Sequence, residues 1–181
     1  MDKKTAGFTL FELLTTLVLM AILLSFGIPS FLNLIEKMGT ESETQTIIEG
    51  LRTARLIAIE EKSNIVVCPS SNGTSCGNSW DAGFIIYRDN DASQSKDADE
   101  EIIFTHEFKD SVTVKTGSGQ NQSFFFNTSG WAAGSAESLL VCANASTNKN
   151  SFRIVINRAG RIRVEDWHVN WVNASGTALN C

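Results

Sequence analysis

Between Glu12 and Glu36 the sequence carries no charged residue. The window from Leu13 to Ile35 is mostly Leu, Ile, Val, Phe, Met and Ala. At about 1.5 Å of rise per residue, a helix of that length exceeds the ~30 Å hydrocarbon core of a bilayer. A membrane-spanning helix is therefore the first expectation. The preceding MDKKTAG is short, polar and net positive. Its lysines should stay on the cytoplasmic side, which puts the rest of the chain outside the inner membrane. A removed secretory signal is the alternative. Against it, the apolar run is long for a signal peptide, and no Ala-x-Ala-like site follows cleanly.

The remaining length, within 181 residues, is enough for one domain with a real core. Its four cysteines, Cys68, Cys76, Cys142 and Cys181, form no CxxC pair, which argues against a redox motif or zinc ribbon. Of three possible pairings, Cys68–Cys76 with Cys142–Cys181 is the simplest. The second would pin Cys181 to an inner strand. Oxidised pairs imply the periplasm or the exterior; four buried thiols are the other option.

Glu12 is the anomaly. A lone acid at a helix centre costs about 2.5–3.5 kcal/mol on insertion scales, so it needs a partner or a route to the headgroups. Gly7–Phe8 reads as a processing site. Cutting there would remove MDKKTAG and leave the Phe8 amine one helical turn before Glu12. That amine could pair with Glu12 in the same chain or in a neighbour.

The run GFTLFELLTTLVLMAILLSFGIPSF resembles the class III signal of type IV pilins and pseudopilins. The resemblance implies a dedicated prepilin peptidase that cuts after Gly7, and methylation of the new terminus at Phe8. It gives Glu12 the task of aligning each incoming subunit with the N-terminus of the one before. Pro29 matches the family's helix-kinking proline. The implied organisation is a leader over residues 1–7, a transmembrane and fibre-core helix over 8–35, and a periplasmic or extracellular head over 36–181.

Beyond Pro29 the helical spacing resumes. Ile35 and Met38 share a face, and Ile47, Ile48, Leu51, Ala54 and Ala58 follow, with Glu41, Glu43, Arg52 and Glu60 between them. One helix from about Phe8 to Glu61 is expected, with soft spots at Gly39 and Thr40. Short strands are expected at 64–68, 83–88, 101–108, 111–115, 123–127, 138–142, 151–156 and 161–165, separated by Gly, Asn, Asp and Ser. They should form antiparallel sheets packed on the helix.

This region resembles the GspH/FimT branch of the family. LRTARLIAIEEKSNIVVC carries Ala54, Arg55 and Ala58, and WDAGFIIYRDND carries Trp80, Gly83, Tyr87 and Asp89. FNTSGWAAG and NRAGRIRV are similar to its two later glycine turns. The implied fold is α+β: a pilin-like lollipop, with a long helix packed on an antiparallel β head.

Candidate chemistry is sparse. In RDNDASQSKDADEE, Asp89, Asp91, Ser93, Ser95, Asp97 and Glu100 fall at EF-hand ligand spacings. Gln94 stands where that loop needs glycine, and Lys96 where an apolar residue anchors it, so a solvated acidic turn is expected rather than a metal site. His106 and His168 have no carboxylate or cysteine at ligand or triad spacing in sequence and read as structural. No nucleotide, hydrolase or metalloprotease signature is present, so neither enzyme activity nor a cofactor is expected.

Charge is divided unevenly. From Glu36 to Asp110 there are seven basic and fifteen acidic residues; from Ser111 to Cys181 there are six and three. The net charge of −5 thus hides a basic C-terminal region. From Ser138 to Val164 there is no acid, but Lys149, Arg153, Arg158, Arg161 and Arg163 occur. Strand alternation should turn Phe152, Ile154, Ile156, Ile162 and Val164 inward, and Arg153, Arg161 and Arg163 outward, with Arg158 at the turn. Guanidinium groups in a row suit phosphates. Trp167, His168 and Trp171 add flat surfaces for stacking. Some FimT-type minor pilins bind DNA through a Gly-Arg-x-Arg motif, which Gly160, Arg161, Ile162 and Arg163 match. Glu165 and Asp166 depart from that pattern and weaken phosphate attraction. Salt bridges to the acidic half of a neighbouring subunit are the competing use of these arginines.

The resemblance implies a minor pilin that initiates or caps a type IV pilus, with natural transformation as a possible setting for DNA contact. The alternative is a minor pseudopilin of a type II secretion system. Implied partners are other minor pilins, the major pilin, the peptidase and the inner membrane, with double-stranded DNA in the receptor reading.

Overall fold

The computed structural model describes residues 7, 9–109, 112–117, 123–133, 137–143, 150–166 and 181. The chain forms two compact units, residues 1–35 and 36–181. Phe8, Lys149, Trp167, His168 and Trp171 lie outside the described residues.

A single helix, α1 (Leu10–Glu60), supplies the first unit and begins the second. Its start is fixed by a reciprocal pair. The Glu12 N–H donates to Thr9 Oγ1 at 3.2 Å, and the Thr9 N–H donates to Glu12 Oε2 at 3.3 Å. Such a capping box satisfies amides that have no carbonyl one turn earlier. From Leu10 to Ile35 the large apolar side chains are exposed all round the helix. The hydroxyls of Thr15, Thr16 and Ser25 donate to the carbonyls of Glu12, Leu13 and Ile22, which keeps them satisfied on an apolar rod. Pro29 lies inside the helix. This stretch is long and apolar enough to cross a membrane.

In the second unit the helix becomes one-sided. Thr40, Glu43, Thr44, Ile47, Ile48, Gly50, Leu51, Ala54 and Ala58 are buried. The stripe begins at Thr40, later than the spacing suggested: Met38 is 61% exposed. The expected soft spot at Gly39 and Thr40 is unbroken helix, and Thr40 and Thr44 donate to the carbonyls of Glu36 and Thr40. Small residues on this face let the sheet approach closely. A Cβ added at Gly50 would stand 2.9 Å from the Phe84 ring.

Nine strands follow among the described residues. One sheet runs in the order β3 (Ile102–Glu107), β2 (Gly83–Asp89), β1 (Asn64–Pro69), β5 (Phe124–Phe126), β6 (Ala132–Ala133). The other runs β4 (Val112–Thr116), β7 (Glu137–Ala143), β8 (Phe152–Ile156), β9 (Ile162–Asp166). All pairings are antiparallel. Eight of these strands coincide with the expected ones. The two-alanine β6 was not expected, because a pair of small residues has no readable period. Residues from the helix and both sheets share one core, which includes Ile47, Leu51, Ala54, Val67, Phe84, Phe126, Val114, Leu139 and Ile154. Burying each large aliphatic or aromatic side chain contributes about 1.5–3 kcal/mol relative to exposure.

Both disulfides are present. Cys68–Cys76 (Cα–Cα 5.6 Å) brings Cys76 onto the outer face of the first sheet, against a cluster that includes Val66, Ile85, Tyr87 and Phe125. Cys142–Cys181 (Cα–Cα 5.5 Å) fastens Cys181 to β7, an inner strand of the second sheet. Lys115 Nζ donates to the Cys181 carbonyl at 3.1 Å.

Candidate interaction surface

Two turns of the same build stand side by side. In the first, the Trp131 N–H donates to Asn127 Oδ1, the Asn127 N–H donates to the Trp131 carbonyl, and the Gly130 N–H donates to the Asn127 carbonyl. In the second, Arg161, Asn157 and Gly160 make the same three bonds. Both glycines have left-handed φ, +75° at Gly130 and +71° at Gly160, where a side chain would be strained. The Ala132 N–H joins the turns by donating to the Arg158 carbonyl at 3.0 Å.

Arg55, on the helix, holds both. Its Nε donates to the Gly130 carbonyl at 2.9 Å and its Nη2 to the Ala159 carbonyl at 3.1 Å. A Cβ at Gly160 would fall 2.3 Å from the Gly130 carbonyl oxygen and 2.8 Å from Arg55 Nε, so side-chain atoms are excluded there on two counts. The result is a cavity of about 330 Å³ lined by Arg52, Arg55, Leu56, Ile59, Gly160, Arg161 and Ile162. Its lining combines the apolar side chains of Leu56, Ile59 and Ile162 with the guanidinium groups of Arg52, Arg55 and Arg161. Trp131, 58% exposed, stands on the first turn.

The expected arginine row is only partly free. Arg153 lies directly across the strand pair from Glu165, with Nη1 at 3.6 Å from its carboxylate. Arg153 is half-buried rather than exposed, and its Nε is buried without a partner among the described residues. Arg163 Nη2 lies 3.2 Å from the same Glu165. Glu165 thus draws on two of the five expected cations, as opposite charges do on neighbouring strands. Arg158 and Arg161 are exposed and have no acidic partner among the described residues. Val164 was expected inward but is 43% exposed. Strand β9 is the edge of its sheet, so its inner face has a strand on one side only. The basic surface is therefore centred on the turns, with Arg161 lining the cavity alongside Arg52 from the helix and Arg158 on the second turn. Sequence reasoning had treated Arg52 as a spacer charge. The repeated Asn-x-x-Gly at 127–130 and 157–160 was the signal that could have revealed the paired turns.

The helix also carries a hidden acid. Glu43 was expected between the apolar positions but is 2% exposed. His106 Nε2 lies 2.7 Å from its Oε2, and Lys109 Nζ 3.4 Å from its Oε1. His106, expected to stand without a carboxylate, receives one from sixty-three residues away. Glu43 is four residues before Ile47, so helical spacing already put it on the buried face.

The acidic loop gathers three of its four expected carboxylates. Ligand oxygens of Asp89, Asp91 and Glu100 lie within 4.8 Å of one another. Asp97 joins through its backbone, donating N–H to Glu100 Oε2 at 3.0 Å. Burial pushes the Asp89 carboxyl above its ordinary range, while the Ser93 amide holds Asp91 below it. At the start of the chain, Gly7 is exposed, and Glu12 serves as the helix cap.

The GspH family model, described as type II transport protein GspH, matches residues 43–160. The chain belongs to the GspH family. The prokaryotic N-terminal methylation motif matches residues 2–28. Among solved structures, the type IV minor pilin FimU of Pseudomonas aeruginosa is similar, with a TM-score of 0.57 at 20% identity over 72% of this chain and 90% of that one. The minor pseudopilin EpsH of the Vibrio cholerae type 2 secretion system is also similar, with a TM-score of 0.51 at 13% identity over 71% and 97%. No curated protein matches the sequence. The fold is thus the pilin-like α+β arrangement of one long N-terminal helix with antiparallel sheets.

Proposed function

We propose that the chain is a minor pilin that initiates or caps a type IV pilus. In this reading it is cut after Gly7, methylated at Phe8 and held in the inner membrane by residues 8–35, with residues 36–181 in the periplasm. Once assembled it reaches the cell surface. The observation that carries the proposal is the apolar surface from Leu10 to Ile35, exposed on all sides with one acid at its start. A bilayer hides such a surface before assembly and neighbouring helices hide it afterwards. Glu12 then meets the amine of the adjacent subunit. The paired turns, with Arg52, Arg158 and Arg161, dock on an acidic face of a neighbouring head.

The test is Glu12→Ala in cells that make pili. Membrane insertion should persist, because the change makes the span more apolar, and recovery of the tagged subunit in sheared pili should fall. Normal recovery would remove the pairing role. Recovery of the wild-type subunit solely with secretion pseudopili would move it to the type II machine.

Contact with double-stranded DNA in natural transformation is a second reading, favoured by the exposure of Arg158 and Arg161 and opposed by the hold of Glu165 on Arg153 and Arg163. Gel retardation against salt tests it. Phosphate contacts give a steep salt slope that Arg161→Ala reduces. Absence of binding at low salt leaves assembly as the role.

A further inference from the structure

The acidic loop after β2 holds more charge than a solvated turn requires. Asp89 is 1% exposed and Glu100 6% exposed, and both face Asp91 within 4.8 Å. Carboxylates crowded out of water repel one another and lose hydration unless a countercharge joins them. Each makes backbone hydrogen bonds: Asp89 accepts from Ser93 and Gln94, and Glu100 from Asn90 and Asp97. Those bonds orient the oxygens but supply no full positive charge. Lys96 turns its ammonium to the Asp97 carbonyl, and Arg88 is occupied by Glu61 and Glu101.

A second observation lies beside the cluster on the same strand. Tyr87 is fully buried, and its hydroxyl has no hydrogen-bond partner among the described residues. Buried hydroxyls are nearly always satisfied, so an orphan needs a missing partner. Tyr87 and Asp89 are two apart on β2 and share a sheet face.

We infer that Asp89, Asp91 and Glu100 form a binding site for a divalent cation of the calcium type, with the Tyr87 hydroxyl accepting a hydrogen bond from a water on that ion. An all-oxygen donor set of carboxylates, irregularly placed, suits calcium, which takes six to eight oxygens in flexible geometry, better than magnesium or zinc. The main objection from sequence was the missing glycine at position 94. Gln94 nonetheless adopts the left-handed backbone there, with φ +60°. The inference does not depend on which filament the subunit joins.

The test uses the full chain in detergent, stripped with a chelator and titrated with calcium or magnesium chloride by calorimetry and thermal unfolding. One calcium should bind per chain, with a dissociation constant on the order of 10⁻⁴–10⁻³ M as in extracellular modules, and the melting temperature should rise with it. Asp91 is exposed, so Asp91→Asn should leave the stripped fold unchanged while weakening calcium at least about tenfold by loss of a charged ligand. Tyr87→Phe should weaken it by a smaller factor. Failure of the wild-type chain to respond at about 10 mM calcium, well above the weakest modules of this kind, would overturn the site. So would identical titrations of the wild type and Asp91→Asn.

Discussion

The two halves of α1 are made of the same backbone and answer to different solvents. From Leu10 to Ile35 no residue is buried, although most are apolar. From Thr40 to Ala58 nine residues are buried, and three of them are Thr40, Glu43 and Thr44. Apolar content is thus a poor guide to where this helix gains its stability. The second half is stabilised by the sheets of its own head. The first half leaves its apolar side chains exposed in the single chain. The assembly role proposed above would use this division: a head packed on its own sheets, and a stem whose apolar surface is left for lipid or neighbouring helices to cover.

The sharpest way to break the comparison is a matched pair of truncations. Leu51 is fully buried among both sheets, and Leu17 is 56% exposed on the first half. Leu51→Ala should destabilise the head by about 2–5 kcal/mol through lost burial and an unfilled cavity. Leu17→Ala should leave head unfolding unchanged. Chemical denaturation of the detergent-solubilised chain, followed by tryptophan fluorescence, separates them. Equal losses would mean that the halves are not energetically distinct.

Within the head, the two disulfides sharpen the same point at lower energy. They enclose sequence separations of 39 and 8 residues. Chain entropy predicts about 4 kcal/mol for the longer loop and about 2.5 kcal/mol for the shorter one. Replacing Cys142 and Cys181 together by Ala should therefore lower stability more than replacing Cys68 and Cys76. It should also loosen Lys115, which donates to Cys181. Melting temperatures of the two double variants decide the order.

How much of this was legible in sequence depends on range. The apolar stem, the buried stripe and eight strands follow local periodicities that a sequence displays directly. Arg55 was marked by its motif, but its work, holding two carbonyls from residues 130 and 159, is set by tertiary contact. The His106–Glu43 pair joins positions sixty-three apart, so each looked solitary. Glu165 was seen as a local weakening of the basic row. Its register opposite Arg153, which makes it a direct partner, is a property of the hairpin. The Thr9-x-x-Glu12 capping box was readable, yet the charge of Glu12 in an apolar run drew attention from its place at a helix start.

That double role of Glu12 sets the smallest predicted effect and the most informative one for assembly. As a cap, the carboxylate accepts the Thr9 N–H; as a charge, it would attract the amine of a neighbour. Glu12→Gln keeps an acceptor oxygen at the same reach and removes the charge. Thr9→Ala keeps the charge and removes the hydroxyl that accepts from the Glu12 N–H, at a cost of about 1 kcal/mol in helix-start stability. If charge pairing drives incorporation, Glu12→Gln should lower recovery in sheared pili as far as Glu12→Ala does, and Thr9→Ala should lower it little. If the cap is what matters, the order reverses: Glu12→Gln assembles and Thr9→Ala fails. The contrast holds helix length and apolar surface constant, so it reads out the polar group alone.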